Sequence, residues 1–200
     1  MAAKTPVPVT LEGRHARLEP LHLEHTSELF ESSGKDDEVW RWLRRPTPQV
    51  EQDMRAFVVG LLSEQRLGIR IPFAVRIKSI DRIIGTTSYQ EIFPEDERLE
   101  IGWTWLGRAF WGSPINSECR LLLLSHAFED LGMERVAIRI NSCNERAQAA
   151  IERIGWVREG VFRHYTVRPN GTRGDTIYFS LLSAEWPTAK ARLIERLHRG

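Results

Sequence analysis

Residues 99–156 constrain the fold more than any other part of the chain. They read in one unbroken order as strand, tight loop, long helix, strand and second helix. Leu99, Ile101, Trp103 and Trp105 alternate with Glu100, Gly102 and Thr104, the period of two that puts one face of a strand into a core. A short turn, Gly107-Arg-Ala-Phe-Trp-Gly-Ser-Pro114, leads into a helical run over 115–131 with Gly132 placed to end it. Residues 135–140 read as a strand with Val136, Ile138 and Ile140 on one face. Asn144 then opens a helix ending at Gly155, with Ala147, Ala150, Ile151 and Ile154 as its apolar stripe. A strand feeding a helix through a small-residue loop aims the helix's free N–H groups and positive dipole end at the space above the sheet, which is where a phosphate would sit.

The flanking segments read as support for this unit. Residues 1–12 are Pro-rich and unpatterned, an extended lead-in, and 15–21 alternate as a first strand. Over 22–62 apolar residues recur at helical spacing, broken at Ser33-Gly34 and Pro46-Thr-Pro48, with Asp36-Asp-Glu38 suited to a helix start; two helices over one sheet edge are expected. Residues 70–78 and 82–89 form a strand hairpin through Ser79-Ile-Asp81, followed by an acidic loop over 90–97. Residues 156–167 and 175–182 make a second hairpin around Pro169-Asn-Gly171, a type I turn sequence, and 183–198 a last helix with Ser183 as cap and Pro187 near its first turn. The expected fold is a single α/β (mixed α+β) domain spanning 1–200, with a mixed sheet and helices on both faces.

With 42% apolar residues in 200, the chain can bury a sizeable core. A net charge of +1 with scattered Lys and Arg does not indicate a nucleic-acid partner. Cys119 and Cys143 are the only cysteines and have no metal-ligand spacing, so a disulfide scaffold or metal site is not supported and a reducing cytoplasm fits best. No segment approaches a membrane span or a secretory signal. A dinucleotide-binding Rossmann unit is set aside, because no Gly-x-Gly-x-x-Gly is present.

Three runs carry a family likeness: Glu100-Ile-Gly-Trp-Thr-Trp105; Phe110-Trp-Gly-Ser-Pro-Ile-Asn-Ser-Glu118; and Asn144-Glu-Arg-Ala-Gln-Ala-Ala-Ile-Glu-Arg-Ile-Gly-Trp156. Together with Leu18-Glu-Pro-Leu21, Arg158-Glu-Gly-Val-Phe-Arg163, the stretch 175–180 and Glu185-Trp-Pro187, they resemble the GNAT N-acetyltransferases of the RimJ/RimL type over nearly the whole chain. The resemblance implies a mostly antiparallel twisted sheet splayed at a cofactor cleft. It also implies an enzyme moving an acetyl group from acetyl-CoA to a primary amine, either a protein N-terminus or a small amine, by direct attack and without a metal. A monomer or homodimer would serve.

Carried onto this sequence, the likeness gives the backbone of Thr104, Trp105 and Leu106 to the pantetheine arm. Trp111, Gly112, Ser113, Ile115 and Asn116 fall to the pyrophosphate loop, and Asn144 to the cofactor arm. Trp40 and Trp42, which the residues alone also allow as core, and Asp175 with the 163–175 hairpin would line the acceptor site, with the acidic loop Glu95-Asp-Glu97 adding negative charge for a cationic amine. Glu100, opening its strand on the face opposite Leu99, Ile101 and Trp103, is the candidate base, since an attacking amine must lose its proton; Glu91 and Asp175 are weaker alternatives. Two departures stand out. Pro114 takes a loop place where the family offers an N–H, although with Ser113 as N-cap it would hold the first helical position and leave the Ile115 and Asn116 amides free. Ala147 stands where RimL-type enzymes carry a Ser that protonates the leaving thiolate, with Ser142, Cys143 and Tyr165 as nearby hydroxyl or thiol groups. Both departures favour the alternative of a non-catalytic acyl-CoA-binding module.

Overall fold

In the computed structural model, which describes residues 2–168 and 171–199, eight strands form one sheet. The elements run β1 (Leu11–Glu12), β2 (Ala16–Pro20), α1 (Thr26–Ser33), α2 (Asp37–Trp40), α3 (Glu51–Arg66), β3 (Arg70–Ile77), β4 (Arg82–Phe93), β5 (Arg98–Leu106), α4 (Ile115–Ser125), β6 (Arg135–Asn141), α5 (Glu145–Glu152), β7 (Val157–Val167), β8 (Arg173–Leu182) and α6 (Trp186–Arg199). Their spatial order is β1-β2-β3-β4-β5-β6-β8-β7, antiparallel throughout except at the parallel β5–β6 pair.

Each face of the sheet carries its own core. On one, Leu18, Phe73, Tyr89, Leu99 and Phe179 meet Cys119 and Leu123 of α4, Ile151 of α5 and Leu193 of α6. On the other, Ala74, Ile83 and Trp105 meet Leu29, Val39, Trp40, Met54 and Phe57 of α1–α3. The second core corrects the sequence reading at residues 22–62. Three helices form there rather than two, and they lie over the face of β3–β5 rather than at an edge. The breaks at Gly34 and Pro46 leave α2 as a short separate turn, capped by Asp36, whose carboxylate accepts the Glu38 N–H at 3.1 Å.

Other boundaries shift for identifiable reasons. β4 continues to Phe93, so the acidic loop is only a 3₁₀ turn over Pro94–Asp96. The helix over 115–131 is α-helical to Ser125 and then widens into a π turn over His126–Asp130, where the Leu131 N–H reaches the His126 carbonyl. Ser183 does not cap the last helix: its hydroxyl donates to Glu134, and Glu185 instead accepts the Leu182 N–H. Pro169 and Asn170 of the expected hairpin turn lie outside the described residues. Among the described residues no helix is long and apolar enough to cross a membrane.

Glu118 of α4 ties the helix to the start of the sheet. Its buried carboxylate accepts the backbone N–H groups of Arg14 at 2.6 Å, His15 at 2.9 Å and Ala16 at 2.6 Å. A buried carboxylate needs such donors, and these also place the N-terminal end of α4 against β2.

Candidate active site

The β5–β6 pair holds for three residue pairs, Arg98 with Arg135, Leu99 with Val136 and Glu100 with Ala137, and then the strands separate. Beyond Glu100, β5 has no partner strand on that side. Just past the separation β5 bulges: Ser88 pairs with Gly102 and Thr86 with Trp105, so Trp103 and Thr104 together stand opposite Thr87. Trp103 takes φ +51°, an unusual value for a bulky residue, and the extra residue reverses which face each later side chain meets. Trp103 and Trp105 therefore join the α1–α3 core, while Leu99, Ile101 and Leu106 stay on the α4 side. The regular alternation expected for this strand is wrong from Trp103 onward. The Thr104 hydroxyl pairs with that of Thr87 at 2.8 Å and fixes the bulge.

The gap between the strands opens a cleft of about 350 Å³. Thr104, Trp105, Leu106, Trp111, Gly112, Ser113, Asn116 and Asn144 all line it. Ile115, also expected there, is buried in the α4-side core and does not line the cleft. The loop before α4 makes a 3₁₀ turn at Arg108–Phe110 and is clamped to the α2 cap by the Arg108–Asp36 ion pair, with Arg108 Nε 2.9 Å from Asp36 Oδ2. Gly112 adopts φ +79°. The Ser113 hydroxyl donates to the Phe110 carbonyl at 2.6 Å and so caps nothing. Pro114 is the N-cap residue, its carbonyl accepting the Glu118 N–H at 3.0 Å.

The helix begins at Ile115, where the helical run was expected to start, but its N-cap is Pro114 rather than Ser113, so Pro114 lies just outside its first turn. No side chain caps that turn, and the amides of Ile115, Asn116 and Ser117 find no partner among the described residues. Beside them the Asn116 side-chain oxygen is buried without a hydrogen-bond partner. Arg120, Arg146, Arg153 and Arg196 also line the cleft, against a single carboxylate, that of Glu38. These arginines come from α4, α5 with its following turn, and α6, so their convergence was invisible in a sequence where they look scattered. Arg146 stacks on Trp111, its guanidinium 3.7 Å from the ring centre, and the Trp111 indole donates to the Leu106 carbonyl at 2.9 Å. Asn144 caps α5, accepting the Ala147 N–H at 3.2 Å, and Ala147 lines the cleft while packing against the α4-side core.

A smaller chamber of about 120 Å³ joins the cleft at Trp42, Leu43, Gly102, Trp103 and Arg139. Glu100 lies in its wall, 3% exposed. Its carboxylate accepts from Arg139 Nε, 2.6 Å from one oxygen and 2.8 Å from the other, and from the Gln90 amide. Gln90 accepts in turn from Arg70 Nη1 at 2.5 Å, and Arg70 Nε is 2.5 Å from Glu64. Gly102 permits this network, since a Cβ there would sit 2.3 Å from Gln90 Nε2. Burial pushes the Glu100 carboxyl above the usual carboxylate range, and Arg139 and Gln90 pull it only part of the way back. Burial also works against the Arg139 charge, but Glu100 outweighs it and holds the guanidinium above its ordinary value.

Arg139 is the residue that sequence reasoning missed. It sits on the less apolar face of a strand, and nothing local marks it as a partner for Glu100.

Three expected acceptor-site residues stand elsewhere. Trp40 is in the α1–α3 core with its indole donating to the Ser33 carbonyl at 3.0 Å. Asp175 does not line the chamber. It accepts the His164 N–H at 2.8 Å and pins a bulge in β7. The acidic turn around Glu95 does not reach the chamber either, since β4 carries it beyond the end of β5. Trp42 lines both chamber and cleft. Among the described residues no three His, Cys, Asp or Glu side chains gather at metal-binding range.

A family model described as acetyltransferase (GNAT) domain matches residues 15–157, which contain the bulge, the loop and helices α4 and α5. The chain belongs to the GNAT acetyltransferase family. Among GNAT structures, that of an acetyltransferase, provisionally so named, from T. thermophilus is 42% identical, with a TM-score of 0.86 over 96% of this chain and 98% of that one. The provisionally named ribosomal N-acetyltransferase YdaF of Bacillus subtilis (strain 168) is 35% identical over 108 residues, which are 54% of this chain and 58% of that protein. RimJ of Mycobacterium smegmatis, solved in complex with CoA-disulfide, shares the GNAT fold with a TM-score of 0.80 at 18% identity, over 94% of this chain and 95% of that one.

Proposed function

We propose that the protein transfers an acetyl group from acetyl-CoA to a primary amine. The observation that carries this reading is the early separation of β5 from β6, which puts a bare strand edge, uncapped helix amides and four arginines on one side of a buried carboxylate. Unpaired amides at a helix start suit a pyrophosphate, and guanidinium groups suit phosphate oxygens. The unpartnered Asn116 oxygen offers an acceptor to the same ligand. The free edge of β5 from Thr104 to Leu106 is suited to pair with an amide-bearing arm, bringing a thioester to the mouth of the chamber. RimJ, with CoA-disulfide in the same fold, supports a CoA donor, and the name of YdaF, a ribosomal N-acetyltransferase, supports a protein amine as acceptor.

In the chamber the amine nitrogen attacks the thioester carbonyl carbon. A C–N bond forms, the C–S bond breaks, and the amine proton passes to Glu100, directly or through water. The raised carboxyl pKa makes Glu100 a stronger base than an exposed carboxylate, and Arg139 orients it. The CoA thiolate takes its proton from solvent, since Ala147 provides none; a thiol of pKa about 8.5 leaves tolerably unaided.

Ala147 in the cleft wall favours a second reading, an acyl-CoA-binding module without turnover. Incubation with acetyl-CoA and a panel of amines, following free thiol, separates the two. Thiol release that depends on both reactants is expected. Tight CoA binding with no release for any amine would establish the module instead.

A further inference from the structure

The walls of the acceptor chamber carry the opposite charge from the one expected for a site that admits a cation. Arg41, Arg44, Arg139 and Arg168 line it, and Glu100 is its one carboxylate. Glu100 and, at 3.4 Å, Glu91 answer Arg139. Arg41 stacks over Trp42, 4.9 Å from the ring centre, and its ion pair with Glu38, at 3.4 Å, is exposed. Arg44 and Arg168 form no ion pair among the described residues. Arg168 Nε is buried without a hydrogen-bond partner, and its Nη2 meets only the weak acceptor Cys143 Sγ at 3.5 Å. Arg41, Arg44 and Arg168 do not line the cofactor cleft, so they are not part of its phosphate-binding set. Arg41 and Arg44 follow α2, whereas Arg168 follows β7, so these cations approach the chamber from two separate parts of the chain.

From this, and resting on the transferase reading above, we infer that the acceptor is an amine bearing one or more carboxylates close to the reacting nitrogen. The amine enters toward Glu100 while the carboxylates meet Arg44 and Arg168 at the rim. A guanidinium with an unused N–H is the group best matched to a carboxylate. A polycationic amine would meet these arginines with like charge and no compensating acid. The carboxylate could belong to an acidic peptide following its N-terminal residue, or to a free amino acid.

The test compares kcat/KM for three peptides that share an N-terminal Ser and continue with Asp-Glu, Gly-Gly or Lys-Lys, alongside free aspartate and the polyamine spermidine. The acidic peptide or aspartate is expected to exceed the Lys-Lys peptide and spermidine by at least about tenfold at low salt, with the margin shrinking as salt rises. Whichever of the two anionic acceptors is faster identifies the source of the carboxylate. The double variant Arg44→Glu/Arg168→Glu should erase or invert the preference through KM for the acceptor, leaving KM for acetyl-CoA unchanged. A spermidine or Lys-Lys preference in the parent, or an unchanged preference in the variant, overturns the inference while leaving the transferase standing. If no amine releases thiol, the transferase reading fails. The inference is then judged on equilibrium binding of the same labelled peptides, where equal affinity for acidic and basic sequences overturns it too.

Discussion

Glu100 shows how much one residue's surroundings decide. In its proposed role of base it would work only when ionised, and because burial raises its pKa, the acid limb of the rate profile should lie above that of an exposed carboxylate, with activity lost as pH falls through it. Glu100→Gln is expected to lower kcat by about 10²-fold near neutral pH, to leave KM for acetyl-CoA unchanged and to abolish that limb. The deficit should shrink at high pH, where the amine deprotonates without help; a parallel profile in the variant would remove Glu100 from the role. Glu118 is the structural counterpart. Glu118→Ala would strand three backbone N–H groups, and a loss of roughly 3 kcal/mol or more, seen as a fall in Tm of about 10 °C, is expected. Glu100 was legible in the sequence, because a charged residue opening an otherwise apolar strand, within a recognisable motif, stands out. Arg139 and Glu118 were not, because their partners lie 39 and more than 100 residues away and side-chain identity says nothing about who sits across a sheet.

At the scale of elements, most of the order was readable from periodicity, and the errors fall where backbone irregularity breaks a period. The bulge at Trp103 is the clearest case. Four hydrophobic residues at alternate positions read as one apolar face, yet an inserted residue sends Trp103 and Trp105 to the opposite core. No residue type announces that slip, since the bulge uses a Trp at positive φ where a Gly would have been a signal. The N-cap after Gly112 falls on Pro114 rather than Ser113, because the Ser113 hydroxyl turns back to Phe110. Gly112 itself is the testable part of that loop. A Cβ there meets nothing within 4 Å, so Gly112→Ala costs only the left-handed backbone, about 1 to 2 kcal/mol. Weakening of CoA binding by about fivefold or more is expected by calorimetry. Unchanged affinity would mean that the loop does not contact the ligand.

For the molecule as a whole, the arginines of the cleft and of the chamber are a product of the fold, not of any sequence cluster. A net charge of +1 hides two regions of concentrated positive charge, balanced over the whole chain by carboxylates placed elsewhere. Saturating CoA should therefore stabilise the protein measurably, by about 2.7 kcal/mol at a hundredfold excess over Kd, and the gain should diminish with salt. A thermal scan with no CoA-dependent shift would contradict the cleft assignment.

The three-pair seam between β5 and β6 also has a mechanical side. The strands from β1 to β5 form one plate and β6, β8 and β7 another, and between them runs a weld about one turn of ribbon long. A ligand laid along the bare edge of β5 would take the place of the missing rungs, so that stiffness across the middle of the protein is supplied by its own substrate. Each turnover would then pass through a looser and a firmer form of the same molecule. Backbone hydrogen exchange on both sides of the seam, slow with CoA and fast without, would register the difference.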